Sequence, residues 1–295
     1  MPLSVLVTGA AGRLGSEVCK VLIQAGHTVR AADLRYRNDL PVRLELADVL
    51  DARAVYPLVE GCQALIHAAN HPGMHSSLPP QTVYAENVTM DINVFQAALD
   101  MGVRRIAFAS SVQVIRGDRR SRGEQDGLAR PSSLAYLPAD GDLPACAANA
   151  YALSKVAGEM QLKFFAARHP DLAATAIRYP LLADPAHMHY FRSRSWERWM
   201  GYLDELFAYL SMADAARLAV AVIERQTPGY HCFLPAAPDP YLALPIPEIV
   251  RTYYPSVPLK VPLEQLKSLV DLSPIKRAVG WRPQDVRLFT TPAPH

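Results

Sequence analysis

The sequence predicts an α/β protein: a doubly wound, mostly parallel β-sheet with helices on both faces, and a small C-terminal lobe. Three observations carry that expectation. A short apolar run, Ser4-Val5-Leu6-Val7-Thr8, stops at glycine, and Gly9, Gly12 and Gly15 follow at three-residue spacing. Apolar strands then alternate with helix-period segments as far as Pro180, the pattern of β-α-β units. The second strand of the series, Thr28 to Asp33, ends in an acid roughly 20 residues after the glycine loop, where dinucleotide-binding sheets place one.

The elements follow in order. In the glycine loop, Gly9 permits a tight turn, Gly12 lets a diphosphate approach the backbone, and Gly15 lets helix and strand pack closely. Leu14, Val18, Val21 and Leu22 then share one helical face, and Gly26 closes the helix. Asp33 would accept the adenosine ribose hydroxyls and repel a 2′-phosphate, which favours NAD over NADP; Arg35 and Arg37, just beyond it, act against that preference. Val42 to Leu46 alternates like a strand, and a short helix runs to about Glu60. Ala64 to Ala69 is an apolar strand whose small final residues let a cofactor lie close. A helix from about Thr82 to Met101, closed by Gly102, leads to a strand over Arg105 to Ser111, with its polar end where ligands bind in open α/β sheets.

From Arg116 to about Ala148 the periodicity stops, and the stretch reads as a loop over the site. A helix from about Asn149 to Arg168 and a strand from Leu172, stopped by Pro180, restore it. Beyond lie aromatic and basic residues from Tyr190 to Trp199, and a helix opened by Ser211 with Asp214 three residues on. A proline-dense run from Pro235 to Pro262 reads as extended connections between short elements. The expected division is a cofactor-binding domain over residues 1–180, rejoined by about 211–235, and a small substrate-binding lobe over 181–295.

Bulk properties exclude several classes. Half of the 295 residues are hydrophobic and the formal net charge is +2, so nothing argues electrostatically for nucleic acid or an anionic membrane. Cys19, Cys62, Cys146 and Cys232 form no CxxC pair and read as reduced thiols of a cytoplasmic protein. No window approaches a membrane span, and the N-terminus shows no signal-peptide pattern. His67, His71 and His75 are four apart, but Pro72-Gly73 interrupts any helix, so no metal site is expected; His71 and His75 fit a substrate pocket better. His187 and His189 read as a surface loop. Arg192, Arg194 and Arg198, with Trp196 and Trp199, fit either an anion clamp or a solvated helix face. Arg116, Arg119, Arg120 and Arg122 read as a solvated loop.

The chemistry-bearing pair is Tyr151 and Lys155, four apart on one face of the helix after the long loop. A phenol titrates at about 10, too high for work near neutrality. An adjacent ammonium stabilises the phenolate and lowers that value, giving an acid/base for a hydroxyl or carbonyl. Ser111, at a strand end, could hydrogen-bond the same oxygen.

Together these residues resemble the extended short-chain dehydrogenase/reductases of the NAD-dependent epimerase/dehydratase family. Thr8 to Gly15 matches that family's TGxxGxxG loop, and Tyr151 with Lys155 its YxxxK pair. Leu137 to Asp140 resembles the approach to its catalytic helix. Asn87-Val88, with Asn93, resembles its NVxGT helix, and Gly280-Trp281-Arg282-Pro283 its GWxP ending. The resemblance implies a Rossmann-type fold, a catalytic triad of Ser111, Tyr151 and Lys155, and a diphosphate cradle of Gly9, Gly12, Arg13, Leu14 and Gly15. Asp33 would hold the adenosine ribose, Asp48 and Val49 the adenine, and Lys155 also the nicotinamide ribose. Ala68, Ala69 and Asn87 would line the cofactor channel, with the backbone near Pro180 at the carboxamide. It implies a sugar or nucleotide-sugar substrate, NAD as cofactor and a homodimer. Epimerisation with retained cofactor, dehydrogenation with NADH released, and cofactor sensing without turnover are the three activities to separate.

The sequence also departs from the pattern. Met90 and Asp91 replace the Gly-Thr of NVxGT, and no acidic residue follows Ser111 as it does in sugar 4,6-dehydratases, so dehydration is not expected. Tyr179-Pro180 stands after Arg178 where nucleotide-sugar epimerases commonly carry an asparagine, which keeps a smaller substrate open.

Overall fold

The computed structural model describes residues 1–71, 77–117, 131–184, 200–225, 227–242 and 244–285. Its centre is a seven-stranded sheet in the order β3-β2-β1-β4-β5-β6-β9, every pairing parallel. The strands are β1 (Ser4–Thr8), β2 (Thr28–Asp33), β3 (Leu44–Leu46), β4 (Ala64–His67), β5 (Arg105–Ser111), β6 (Ala173–Tyr179) and β9 (Gly229–Phe233). Strands such as β4 and β6 are buried along their whole length, which is why they read as continuous apolar runs rather than alternating ones. The strand order reverses between β1 and β4, and the crevice at that switch point is where ligands bind in such sheets.

Helices cover both faces. One face carries α1 (Arg13–Gln24), α5 (Met212–Glu224) and α7 (Ser273–Val279). Their Val18, Leu22, Leu218 and Ile275 pack in one core with Val5, Val7 and Trp281. The other face carries α2 (Ala52–Val59), α3 (Pro80–Asp100) and α4 (Ala150–Arg168), with Val55, Phe95 and Leu162 packed on Leu6, Leu65 and Phe108. Local chemistry starts these helices. Asp51, Asn149 and Ser211 each accept a hydrogen bond from a first-turn N–H of α2, α4 and α5, and the predicted Ser211–Asp214 cap is present at 2.9 Å.

A third core lies beyond the C-terminal ends of the strands. It joins Val112, Ile115, Leu134, Leu137 and Leu143 to Phe207, Tyr241, Tyr254 and Leu269. Two stretches take more definite form here. The stretch from Arg116 to Ala148 is not simply a loop over the site. Leu137 and Ala139 bridge in parallel to Leu259 and Val270, and their side chains are fully buried; residues 118–130 lie outside the described residues. The run from Pro235 to Pro262 contains a helix, α6 (Ile246–Tyr253), whose Ile249, Val250 and Tyr253 face inward. Its prolines stand at the start, where no backbone N–H is needed. A two-stranded parallel sheet of β7 (Leu181–Ala183) and β8 (Tyr209–Ser211) links this core to the end of β6. The segment Tyr190 to Trp199, with His187 and His189, and Arg119, Arg120, Arg122 and His75 all fall outside the described residues.

Candidate active site

The cofactor end is built from backbone. Gly9 has φ +71°, and a Cβ there would stand 2.6 Å from the Ala68 carbonyl carbon. One at Gly15 would stand 2.1 Å from the Gly9 oxygen, so neither position admits a side chain. Gly12 is different: it precedes α1 without a side-chain cap, and a Cβ there would meet only the Gly9 oxygen, at 3.1 Å. The first N–H groups of α1, at Arg13, Leu14 and Gly15, therefore begin a helix whose positive end is left to an anion. The Arg13 side chain points away to Asp184, at 2.7 Å.

Asp33 ties this loop to the end of β2: one carboxylate oxygen accepts from Ala11 N–H and the other from Arg35 N–H, each at 2.9 Å. Arg37 donates to the Ala11 carbonyl and the Ser16 hydroxyl, and pairs with Asp39. Asp48 accepts from Leu50 N–H, while Asn93 on α3 holds the Val49 and Leu50 carbonyls. Ala68 and Ala69 lie against Gly9, and buried Pro180 follows β6. Asn87 is wholly buried; it accepts from His71 N–H and donates to the Ser154 hydroxyl, joining the chain after β4 to α4. His71 also pairs with Glu86 at 2.6 Å. A side-chain-free cradle at a helix N-terminus, with a carboxylate at the end of β2, fits a dinucleotide.

The reactive end lies across the switch point. Ser111 closes β5 and caps the 3-10 turn Val112–Ile115 through Gln113 N–H. Asn149 starts α4, which brings the partly exposed Tyr151 in its first turn and Lys155 in the next to the same place. The Lys155 ammonium is buried, 4.7 Å from the Phe108 ring centre and 5.8 Å from that of Tyr151. Sequence reasoning expects the ammonium to lower the phenol. In this chain the direction is opposite: burial pushes Tyr151 up to about 12, Asp91 and Glu205 add to the rise, and only the Ser111 hydroxyl opposes it. Lys155 is itself lowered, because burial outweighs the attraction of Asp91 and Glu159.

Behind these residues is a set of buried polar groups whose pairing the sequence reading did not foresee. Thr8 Oγ1 meets His67 Nδ1 at 2.6 Å, and His67 Nε2 meets Asp91 Oδ1 at 3.0 Å, all three fully buried. Arg178 forms a two-pronged pair with Glu159, at 2.8 and 2.9 Å, and Ser110 donates to the same carboxylate. Toward the third core, Arg116 pairs with Glu205 at 2.9 Å, and burial raises Glu205 to about 7. One signal was available: Asp91 falls among the positions of α3 that face inward (Asn87, Met90, Val94, Phe95), where a carboxylate needs a reason. Glu205 had none, since its partner is distant in sequence.

A family model described as the NAD dependent epimerase/dehydratase family matches residues 5–230. The chain belongs to that family. Among curated relatives of this epimerase/dehydratase protein, an NAD-dependent glucose-6-phosphate dehydrogenase of Haloferax volcanii is 30% identical over 68% of the chain and 76% of its own length. A UDP-glucose 4-epimerase of Corynebacterium glutamicum is 25% identical over 98% and 93%. A uronate dehydrogenase of Pseudomonas syringae is 32% identical over 37% and 40%. Among solved structures, a UDP-glucose-4-epimerase from Stenotrophomonas maltophila with bound NAD has a TM-score of 0.67 at 20% identity, covering 96% of this chain and 94% of that one. A mutated uronate dehydrogenase has a TM-score of 0.64 at 24% identity, covering 97% and 82%. These structures share the Rossmann-like fold. No helix among the described residues is long and apolar enough to cross a membrane.

Proposed function

We propose that this protein is an NAD-dependent dehydrogenase that oxidises a hydroxyl of a small sugar or sugar acid and releases NADH. The observation that supports it most is the meeting of Ser111, Tyr151 and Lys155 at the strand ends beside a side-chain-free diphosphate cradle. When bound, NAD supplies the hydride acceptor. Tyr151, as phenolate, takes the proton of the substrate hydroxyl as the C–H bond breaks, and Ser111 donates a hydrogen bond to the same oxygen. Lys155 offsets the negative charge of the phenolate and binds the nicotinamide ribose. Gly9, Gly12, Leu14 and Gly15 hold the diphosphate, Asp33 the adenosine ribose, and Asp48 and Val49 the adenine. Ala68, Ala69, Asn87 and Pro180 border the nicotinamide half. With Arg37 already engaged by Asp39 and the glycine loop, Asp33 leaves NAD favoured over NADP.

A small substrate is favoured by the end of β6. Arg178 is spent on Glu159 and the Leu143 carbonyl, and the Tyr179 hydroxyl turns inward to the Ala215 carbonyl, so neither offers the amide grip expected for a nucleotide sugar. The third core, with Arg116 and Glu205 at its edge, is the proposed substrate side. Epimerisation is the second reading, favoured by the nearly full-length match to a UDP-glucose 4-epimerase. Incubation with NAD and a panel of aldoses, aldose phosphates, uronates and nucleotide sugars tests both. NADH that accumulates with product is the expected result; isomerised sugar with no net NADH would replace the first reading by the second. A homodimer through α3 and α4 is proposed from their exposed Tyr84, Ile92, Met160 and Phe164. Sedimentation is expected to give a dimer that Phe164→Glu weakens.

A further inference from the structure

Two buried polar atoms near the reactive end have no hydrogen-bond partner among the described residues: Asp91 Oδ2 and Lys155 Nζ. Their residues are 0% and 1% exposed. They lie on the facing helices α3 and α4, with the Phe108 ring beside both. Lys155 Nζ is 4.7 Å from that ring's centre. A Cβ at Gly158 would stand 2.5 Å from Asp91 Oδ2 and 2.6 Å from Phe108 Cζ. The free carboxylate oxygen thus rests against the bare backbone of α4, one turn beyond Lys155, at a place kept open by glycine.

The other oxygen is fixed. His67 Nε2 lies 3.0 Å from Asp91 Oδ1 and its Nδ1 2.6 Å from the Thr8 hydroxyl oxygen; with the ring proton on Nε2, His67 donates to Asp91 and accepts from Thr8. The His67 ring is held in turn between Phe95 and Phe108, at 5.4 and 5.9 Å. The ionisable groups facing Lys155 are Asp91 on α3, Glu159 and Tyr151 on its own helix, and His67 on β4. Of the two carboxylates, Glu159 belongs to Arg178 and Ser110. Among the described residues Asp91 has no lysine or arginine ion-pair partner; it pairs with His67 through Oδ1 alone. A buried ammonium without a counter-charge is costly, and so is a buried carboxylate; the two together are far less so.

We propose that Asp91 is a positioning residue for Lys155: a carboxylate held at Oδ1 by His67, itself anchored by Thr8, that serves as the buried counter-charge of the lysine and keeps it an ammonium facing Tyr151. This uses one of the two residues by which the chain departs from the NVxGT pattern. It rests on the proposed role of Lys155 in catalysis, but its test does not need a substrate.

The test is an NMR titration of full-length protein carrying [ε-13C]lysine, with the Lys155 resonance assigned by Lys155→Arg. In the wild type, Lys155 is expected to be charged at about pH 8, near the neutral range in which enzymes work; a neutral Lys155 there overturns the proposal with no variant needed. In Asp91→Asn the Lys155 midpoint is expected to fall by about one unit or more, the size of shift a nearby opposite charge produces. Asp91→Thr, which restores the NVxGT residue type, should give the same fall and serves if the asparagine variant does not fold. A variant that loses thermal stability while its Lys155 midpoint stays in place would show that Asp91 is structural only. If the midpoint falls but no sugar is oxidised, the proposed function fails and the role of Asp91 stands.

Discussion

The two sides of the switch point are held by opposite means. At the glycine loop, space decides: Gly9 and Gly15 are fixed by contacts shorter than any side chain permits, and the groups proposed to meet the diphosphate are backbone N–H. Under α4, charge decides: His67, Asp91, Lys155, Glu159 and Arg178 are buried together and depend on one another for compensation. On the first side, Gly9 and Gly15 tolerate no added methyl. The second has room for isosteric change, but not for the loss of a partner.

That contrast can be broken by experiment, beginning with the largest effect. Tyr151→Phe is expected to lower NADH formation by about a thousandfold, the scale of a lost general acid/base, with NAD affinity unchanged by calorimetry. A variant of near-wild-type activity would remove Tyr151 from the chemistry. Arg178→Met should cost about 3–5 kcal/mol in denaturant unfolding, because Glu159 is left buried without its cation. Adding Glu159→Gln to it should recover a large part of that loss; a double variant no more stable than Arg178→Met would mean that packing rather than charge is lost.

Glycine substitutions separate stability from affinity within one loop. Gly15→Ala should lower stability by about 1–3 kcal/mol, since its methyl must displace the Gly9 backbone. Gly12→Ala should cost clearly less stability than Gly15→Ala, since its Cβ meets only the Gly9 oxygen at 3.1 Å, and should weaken NAD binding by crowding the proposed diphosphate cradle. Equal effects of the two on melting would contradict the distinction.

The smallest effect concerns pH. Glu205 is raised from 4.5 to about 7, so between those values the folded chain binds more protons than the unfolded one. Stability therefore falls as pH rises through that interval, and Glu205→Gln should flatten the decline in melting temperature measured between about pH 5 and about pH 8. A second pH dependence comes from Tyr151. With its phenol near 12, the phenolate fraction grows roughly tenfold per pH unit below that value, so oxidation should quicken toward alkaline pH.

The sheet was legible because its signals are local. β1, β2 and β5 have the expected bounds, α4 starts at Asn149 as expected, and the cap expected at Ser211 is present. Elements that depend on distant partners were not legible. The burial of Leu137 and Ala139 needs Leu259 and Val270, and α6 is masked by prolines that mark its start rather than its absence. Residue types and spacing singled out Ser111, Tyr151 and Lys155 as candidates, and the fold brings them together. The direction of the Tyr151 shift needed the burial and the two acids around it, which no spacing conveys. Asp91 was visible as a departure from a motif, but its meaning required Gly158 and His67.

The bridges from Leu137 and Ala139 bear on how the protein is made. Lys260 reaches back to Asp140 across 120 residues, and the third core closes only when the segment through Val270 is present. A ribosome that has released Lys155 has therefore already exposed Leu134, Leu137 and Leu143 with nothing to cover them. Chains grow at about 5–20 residues per second, so this apolar surface is open for several seconds before its other half emerges. Truncation before Val270 would make that interval permanent. Deletions in α6 or after it should accordingly reduce soluble yield more than their distance from Tyr151 suggests.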